Sequence, residues 1–105
     1  MKRLLPAVLL APLLVLAAES EVALVVRDHI FQPTELHVPA GRKVLLTVEN
    51  RDGTAEEFES YELNREKVVP ADAKTGIYVG PLAPGRYPFF GDFHQDTARG
   101  VLIAE

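Results

Sequence analysis

The chain of 105 residues contains no cysteine, and its single methionine is Met1. No disulfide can form, no lipid can be attached to a cysteine behind an export signal, and no thiolate is available to a metal. A small domain without disulfides is held by its own core and by any ion it binds. Basic residues are also scarce, with Lys and Arg numbering 11 against 15 Asp and Glu, for a net charge of −4. That balance argues against nucleic acid as a partner, because phosphate backbones are met by basic surfaces. There is no glycine-rich phosphate loop, and Ser60 has no histidine beside it in sequence, so a phosphoryl-transfer or hydrolase reading has no residues to stand on. The longest apolar run, Leu4 to Leu16, falls short of the roughly 20 residues that a spanning helix needs.

That run instead has the layout of an export signal. Lys2 and Arg3 precede it and Ala17-Ala18-Glu19-Ser20 follows, giving a basic start, an apolar middle and a small-residue exit. The expectation is a secretory signal peptide over residues 1–18 and one domain over residues 19–105, with cleavage after Ala17, Ala18 or Ser20. A periplasmic location follows, with no stable membrane anchor once the signal is removed. Loss of Lys2 and Arg3 leaves 9 basic against 15 acidic residues, or −6. Such a surface attracts cations, although solubility is the plainer reason for it.

The remaining sequence reads as strands. Val22 to Val26, Glu35 to Val38, Val44 to Val48, Gly76 to Val79, Arg86 to Phe90 and Val101 to Ile103 are short β-branched or aromatic runs. Pro39-Ala40-Gly41, Asn50-Arg51-Asp52-Gly53 and Leu82-Ala83-Pro84-Gly85 punctuate them as turns. No segment sustains a helical period. The pattern predicts an all-β domain, a single Greek-key antiparallel β-sandwich of about seven strands. Tyr61 to Asp72 is polar and reads as a loop with a short helical turn.

Several motifs carry a resemblance. Phe31-Gln-Pro-Thr-Glu-Leu-His-Val-Pro-Ala-Gly-Arg-Lys-Val is similar to the opening common to cupredoxins, and Phe90-Gly-Asp-Phe-His resembles the end of their ligand strand. Together with Glu56-Glu-Phe-Glu-Ser, Arg65-Glu-Lys and Gly80-Pro-Leu-Ala-Pro-Gly, these segments resemble the EfeO-type cupredoxins found with bacterial iron permeases. The resemblance implies a loop carrying Cys, a His three residues on, and a Met. Here Gly91 stands in place of the Cys, His94 keeps its position and no Met follows. A blue-copper centre is therefore excluded, because it requires the thiolate.

The same resemblance puts Glu57 where ordinary cupredoxins have a copper-binding His. It implies a site at one end of the sandwich in which His94 and Glu57 meet, with Asp92 from the same loop and His29 from the end of the first strand as further ligands. Glu59 shares a strand face with Glu57 and is a ligand or supporting group. Glu56 points the other way and reads as solvated; Glu66 reads as ion-paired with Arg65 or Lys67, and His37 as an outward strand residue. Tyr87, Phe89, Phe90 and Phe93 read as packing. Carboxylate and imidazole make a harder ligand set than thiolate and thioether, shifting preference toward iron, manganese, zinc or copper(II).

The expected function is a periplasmic metal-binding protein that accepts or delivers iron or copper in ferrous-iron uptake. Its partners would be the metal ion, a membrane iron permease and that permease's periplasmic partner proteins. Two alternatives stay open: a redox partner or ferrous oxidase component using bound copper, and a metal-free β-sandwich serving as an interaction module.

Overall fold

A computed structural model describes residues 20–105. The expected signal peptide, residues 1–18, lies outside the described residues. Among the described residues nine strands form: β1 (Ser20–Arg27), β2 (Ile30–Gln32), β3 (Glu35–Val38), β4 (Val44–Asn50), β5 (Glu56–Ser60), β6 (Arg65–Val69), β7 (Lys74–Val79), β8 (Gly85–Gly91) and β9 (Arg99–Ala104). One 3-10 turn, Asp92–His94, follows β8.

The strands make two sheets, ordered β2-β1-β4-β7 and β3-β9-β8-β5-β6, and the domain is an all-β sandwich. Two expectations change in detail. The sheets are mixed, because β1 runs parallel to β4 and β3 parallel to β9. After the β1–β2 hairpin the chain crosses to the other sheet through Pro33 and Thr34, so β3 joins β9. The second change is β6, which occupies the polar stretch expected to be a loop. Four of its five residues are exposed, as suits an edge strand that needs few apolar side chains.

Alternation places the core. In β4, Val44, Leu46 and Val48 point inward while the residues between them are only half-buried. Phe31 of β2, Phe58 of β5 and Phe89 of β8 meet between the sheets with ring centroids 5.3–6.3 Å apart. Each such buried ring contributes about 1.5–3 kcal/mol. Phe90 faces the other side of the sheet, against exposed Tyr61. The aromatic core lies just beneath the end of the sandwich where His29, Glu56 and His94 gather: Phe31 follows His29 by two residues, and Phe58 pairs across the sheet with Gly91.

Candidate metal centre

Strand β5 sends its side chains to two different places. Glu56, Phe58 and Ser60 share the inward parity, so Glu56 enters the end of the sandwich rather than solvent and is 2% exposed. Its Oε1 accepts the backbone N–H of Glu57 at 3.0 Å and of Phe93 at 3.0 Å, while Oε2 lies 2.5 Å from His94 Nδ1. A buried carboxylate is tolerated on these terms because each oxygen has a donor. Gly91 makes the room. A Cβ there would stand 2.6 Å from Glu56 Cδ, 2.7 Å from its Oε1 and 2.7 Å from Ala98 Cβ. The φ of Gly91 is an ordinary −94°, so it is space and not backbone conformation that requires glycine.

His94 ends the 3-10 turn, whose carbonyl accepts Ala98 N–H at 2.9 Å while Gly91 N–H bonds Ala98 O at 2.8 Å. His29 arrives from the opposite sheet. Asp28 and His29 form the two-residue turn between β1 and β2, with φ of 51° and 58°. The two imidazoles stack, centroids 3.5 Å apart and planes 10° from parallel. One ligand atom each from His29, Glu56 and His94 fall within 4.8 Å of one another. Exposure is graded across the set, with side chains at 41% for His29, 27% for His94 and 3% for Glu56, so an ion from solvent meets the imidazoles first and the carboxylate last. His29, Asp92, Phe93, His94 and Asp96 line the depression above.

Asp52 backs this arrangement. Its carboxylate accepts Asp28 N–H at 2.7 Å and His29 N–H at 3.0 Å, and Oδ2 is 3.4 Å from His29 Nδ1. Partial burial pushes the Asp52 carboxyl up, but the two N–H donors and the neighbouring His29 and His94 rings outweigh it and hold it below the ordinary carboxylate range.

The outward parity of β5 builds a second group. Glu57, Glu59 and Asp92 offer carboxylate oxygens within 4.8 Å of one another, and Glu66 on β6 stands directly across from Glu59. A hydrogen bond with Glu66, burial, and the charges of Glu66, Asp92 and Glu59 raise the Glu57 carboxyl to about 7. Glu59 is raised by burial and by Asp92 and Glu66.

The structure thus divides the expected ligands. His94 and His29 come together, but the carboxylate between them is Glu56 and not Glu57. Glu57, Asp92 and Glu59 gather on the outer face, where Glu57 bonds Glu66. Glu56, expected to be solvated, is buried; its parity with Phe58 and the glycine opposite Phe58 are the sequence signals that point to it. Glu66 takes its place among carboxylates, whereas Arg65 donates to the carbonyls of Tyr78, Leu63 and Asn64. His37 is outward, as expected, and bonds Glu105 at 2.7 Å. Ser60 spends its hydroxyl on Pro88 O and Leu63 N–H.

Residues 4–104 match the cupredoxin-like domain. The chain belongs to the cupredoxin-like family. A relative from Rickettsia prowazekii (strain Madrid E), "Uncharacterized protein RP394", is 48% identical over 83 residues, covering 79% of this chain and 66% of that one, so the chain spans a little under two thirds of that relative. Among solved structures, auracyanin A, a "blue" copper protein from Chloroflexus aurantiacus, superposes with a TM-score of 0.71 at 12% identity, covering 84% of this cupredoxin and all of that chain. The metal-binding domain of the Streptococcus pneumoniae D39 Cu(I)-exporting P-type ATPase CopA, solved with Cu(I), gives 0.68 at 15% identity and covers 81% and 84%. Likeness at this identity fixes the fold.

The donor set of this cupredoxin does not fit a copper ion bound through sulfur. It has no cysteine, and the volume a side chain at position 91 would fill is taken by the Glu56 carboxylate. Two imidazoles and one carboxylate do fit a borderline or hard divalent ion.

Proposed function

We propose that this protein binds a transition-metal ion, iron or copper(II), through His29, Glu56 and His94. The observation that carries this reading is the convergence of two stacked imidazoles from opposite sheets on one buried carboxylate, all three ligand atoms within 4.8 Å. Two His and one carboxylate are the donor set that leaves positions open on ferrous iron, and they serve copper(II) and zinc as well. Glu57, Glu59 and Asp92 lie beside the site and lower the local potential, drawing cations toward the rim.

In the cell this chemistry serves metal hand-over. Two partly exposed imidazoles suit acceptance and release better than permanent storage, and the resemblance of Glu56-Glu-Phe-Glu-Ser and Phe90-Gly-Asp-Phe-His to permease-associated proteins supports delivery to a membrane iron permease. The basic, apolar and small-residue order of the first 18 residues supports a periplasmic setting.

Calorimetric titration with anaerobic Fe(II), Cu(II) and Zn(II) tests the reading. One ion per chain is expected for the parent, and His94→Ala weakens it at least tenfold, about 1.4 kcal/mol. Copper(II) bound here shows no intense absorption near about 600 nm, because that band needs a thiolate. Oxidation of added Fe(II) by the copper-loaded protein would shift the function to ferrous oxidation, and no binding of any of the three ions would replace it by an interaction module.

A further inference from the structure

The turn that carries His29 is unusual in its backbone. A two-residue hairpin with positive φ at both positions ordinarily takes Asn-Gly or another glycine pair, because a side chain is disfavoured there. This chain has Asp28 and His29, at 51° and 58°. Left-handed backbone at two successive side-chain-bearing residues persists only where surrounding groups fix it. Asp52 is the group that does so, since one carboxylate takes both turn N–H groups and its Oδ2 stands 3.4 Å from His29 Nδ1.

Asp52 is itself pinned from the interior. Its N–H bonds Asn50 Oδ1 at 2.9 Å and its carbonyl accepts Asp72 N–H at 3.1 Å. Asn50 is 1% exposed, and its amide nitrogen donates to the carbonyls of Thr54, Val69 and Pro70 at 2.9–3.2 Å. The loop bearing Asp52 is therefore tied to the end of β4, to β6 and to the segment before β7. A rigid carboxylate beside one ring nitrogen of a metal-binding His fixes which nitrogen carries the proton and which way the ring faces.

We infer that Asp52 is the positioning residue for His29: it holds the left-handed turn and directs the His29 Nδ1 proton toward itself, leaving Nε2 to take the ion. This rests on the metal-binding reading above, but the state of the ring does not require a metal to be read. A carboxylate facing Nδ1–H also raises the basicity of Nε2, so Asp52 strengthens the ligand it orients.

The experiment has two arms, both on the protein expressed from the full chain, and its variants are Asp52→Asn and the pair Asp52→Ala with Asp28→Gly. Asparagine keeps an acceptor for the turn but presents an amide to the ring. The glycine variant supplies a residue that adopts positive φ freely, restoring the turn without the carboxylate. In the first arm, metal-free protein at pH 8 is studied by long-range 15N–1H NMR. The parent is expected to show His29 protonated at Nδ1, with both variants showing a mixture of tautomers. In the second arm, pulsed EPR of the Cu(II)-loaded protein counts coordinated imidazoles, expected at two in the parent and one in each variant, with affinity lower by about 10- to 100-fold. Recovery of thermal stability by Asp28→Gly, without recovery of the second imidazole, separates positioning from folding. The inference is overturned if His29 keeps the Nδ1 proton in Asp52→Asn, or if the glycine pair restores two imidazoles along with stability. A parent that carries the Nδ1 tautomer yet binds no Cu(II) would sink the metal-binding reading and leave the positioning of His29 standing.

Discussion

Replacement of Glu56 by glutamine separates the site from the fold more cleanly than any other single change. Glutamine matches glutamate in size, so it fits the space left by Gly91, and its carbonyl oxygen still accepts the N–H groups of Glu57 and Phe93. What is lost is the charge and the acceptor facing His94 Nδ1, where an amide nitrogen takes the place of Oε2. A hydrogen bond to a charged group contributes about 1.5–3 kcal/mol and one to a neutral group about 0.5–1.5, while the desolvation cost of a buried carboxylate disappears with it. The net effect on the metal-free domain is a loss of about 1 kcal/mol, or a fall in Tm of about 4–8 °C for a domain of this size. Ion affinity falls further, by at least tenfold or about 1.4 kcal/mol, since the one anionic ligand of the triad is gone. Glu56→Ala is the harsher comparison, because it strands two N–H groups at about 1–3 kcal/mol each. Calorimetric titration and chemical denaturation of the same preparations measure both quantities. The reasoning is refuted if Glu56→Gln binds within twofold of the parent, or if Glu57→Gln weakens binding more than Glu56→Gln does.

Other consequences follow from packing and charge. Phe89→Ala opens a cavity between the sheets and costs about 3–5 kcal/mol in denaturant unfolding, whereas Phe90→Ala, on the outer face under Tyr61, costs clearly less; equal losses would contradict the assigned parity of β8. Gly91→Ala drives a methyl group into the Glu56 carboxylate and Ala98, so it lowers stability by about 1–3 kcal/mol and weakens ion binding together; an unchanged Tm would count against the packing described. The Glu57 carboxyl is raised from 4.5 to about 7, so the folded state keeps a proton that the unfolded chain loses. This group therefore makes the metal-free domain less stable as pH rises from about 4.5 to about 7, with no further change above. Denaturation across that range should show the decline in the parent and a flatter profile in Glu57→Gln.

The sandwich was legible in the sequence because its core strands advertise themselves. Val44-Leu-Leu-Thr-Val and Arg86-Tyr-Pro-Phe-Phe are short β-branched or aromatic runs, and turns of Pro, Gly and Asn separate them. Strand β6 was not, since an edge strand with four exposed residues carries no apolar pattern to read. At the site, the resemblance singled out His94 and His29, and the structure stacks the two rings. The carboxylate beside the two rings is Glu56, one residue from the Glu57 that the resemblance singled out. A run of Glu56-Glu57-Phe58-Glu59 offers charge on both faces, and a buried Glu violates the usual pattern, so only its parity with Phe58 and the empty side-chain space at Gly91 reveal which glutamate turns inward. Asp52 was beyond reach for a different reason: it stands 23 residues from His29, and only the folded hairpin brings its carboxylate to that turn.

The most direct test is a crystal of the purified protein soaked with Fe(II) under anaerobic conditions, or with Cu(II), and measured at the absorption edge of the metal. An anomalous peak bonded to His29, Glu56 and His94 is the predicted result. A peak at Glu57, Glu59 and Asp92 alone, or no peak at any soak concentration that saturates the protein in solution, would contradict the assignment of the triad as the metal centre.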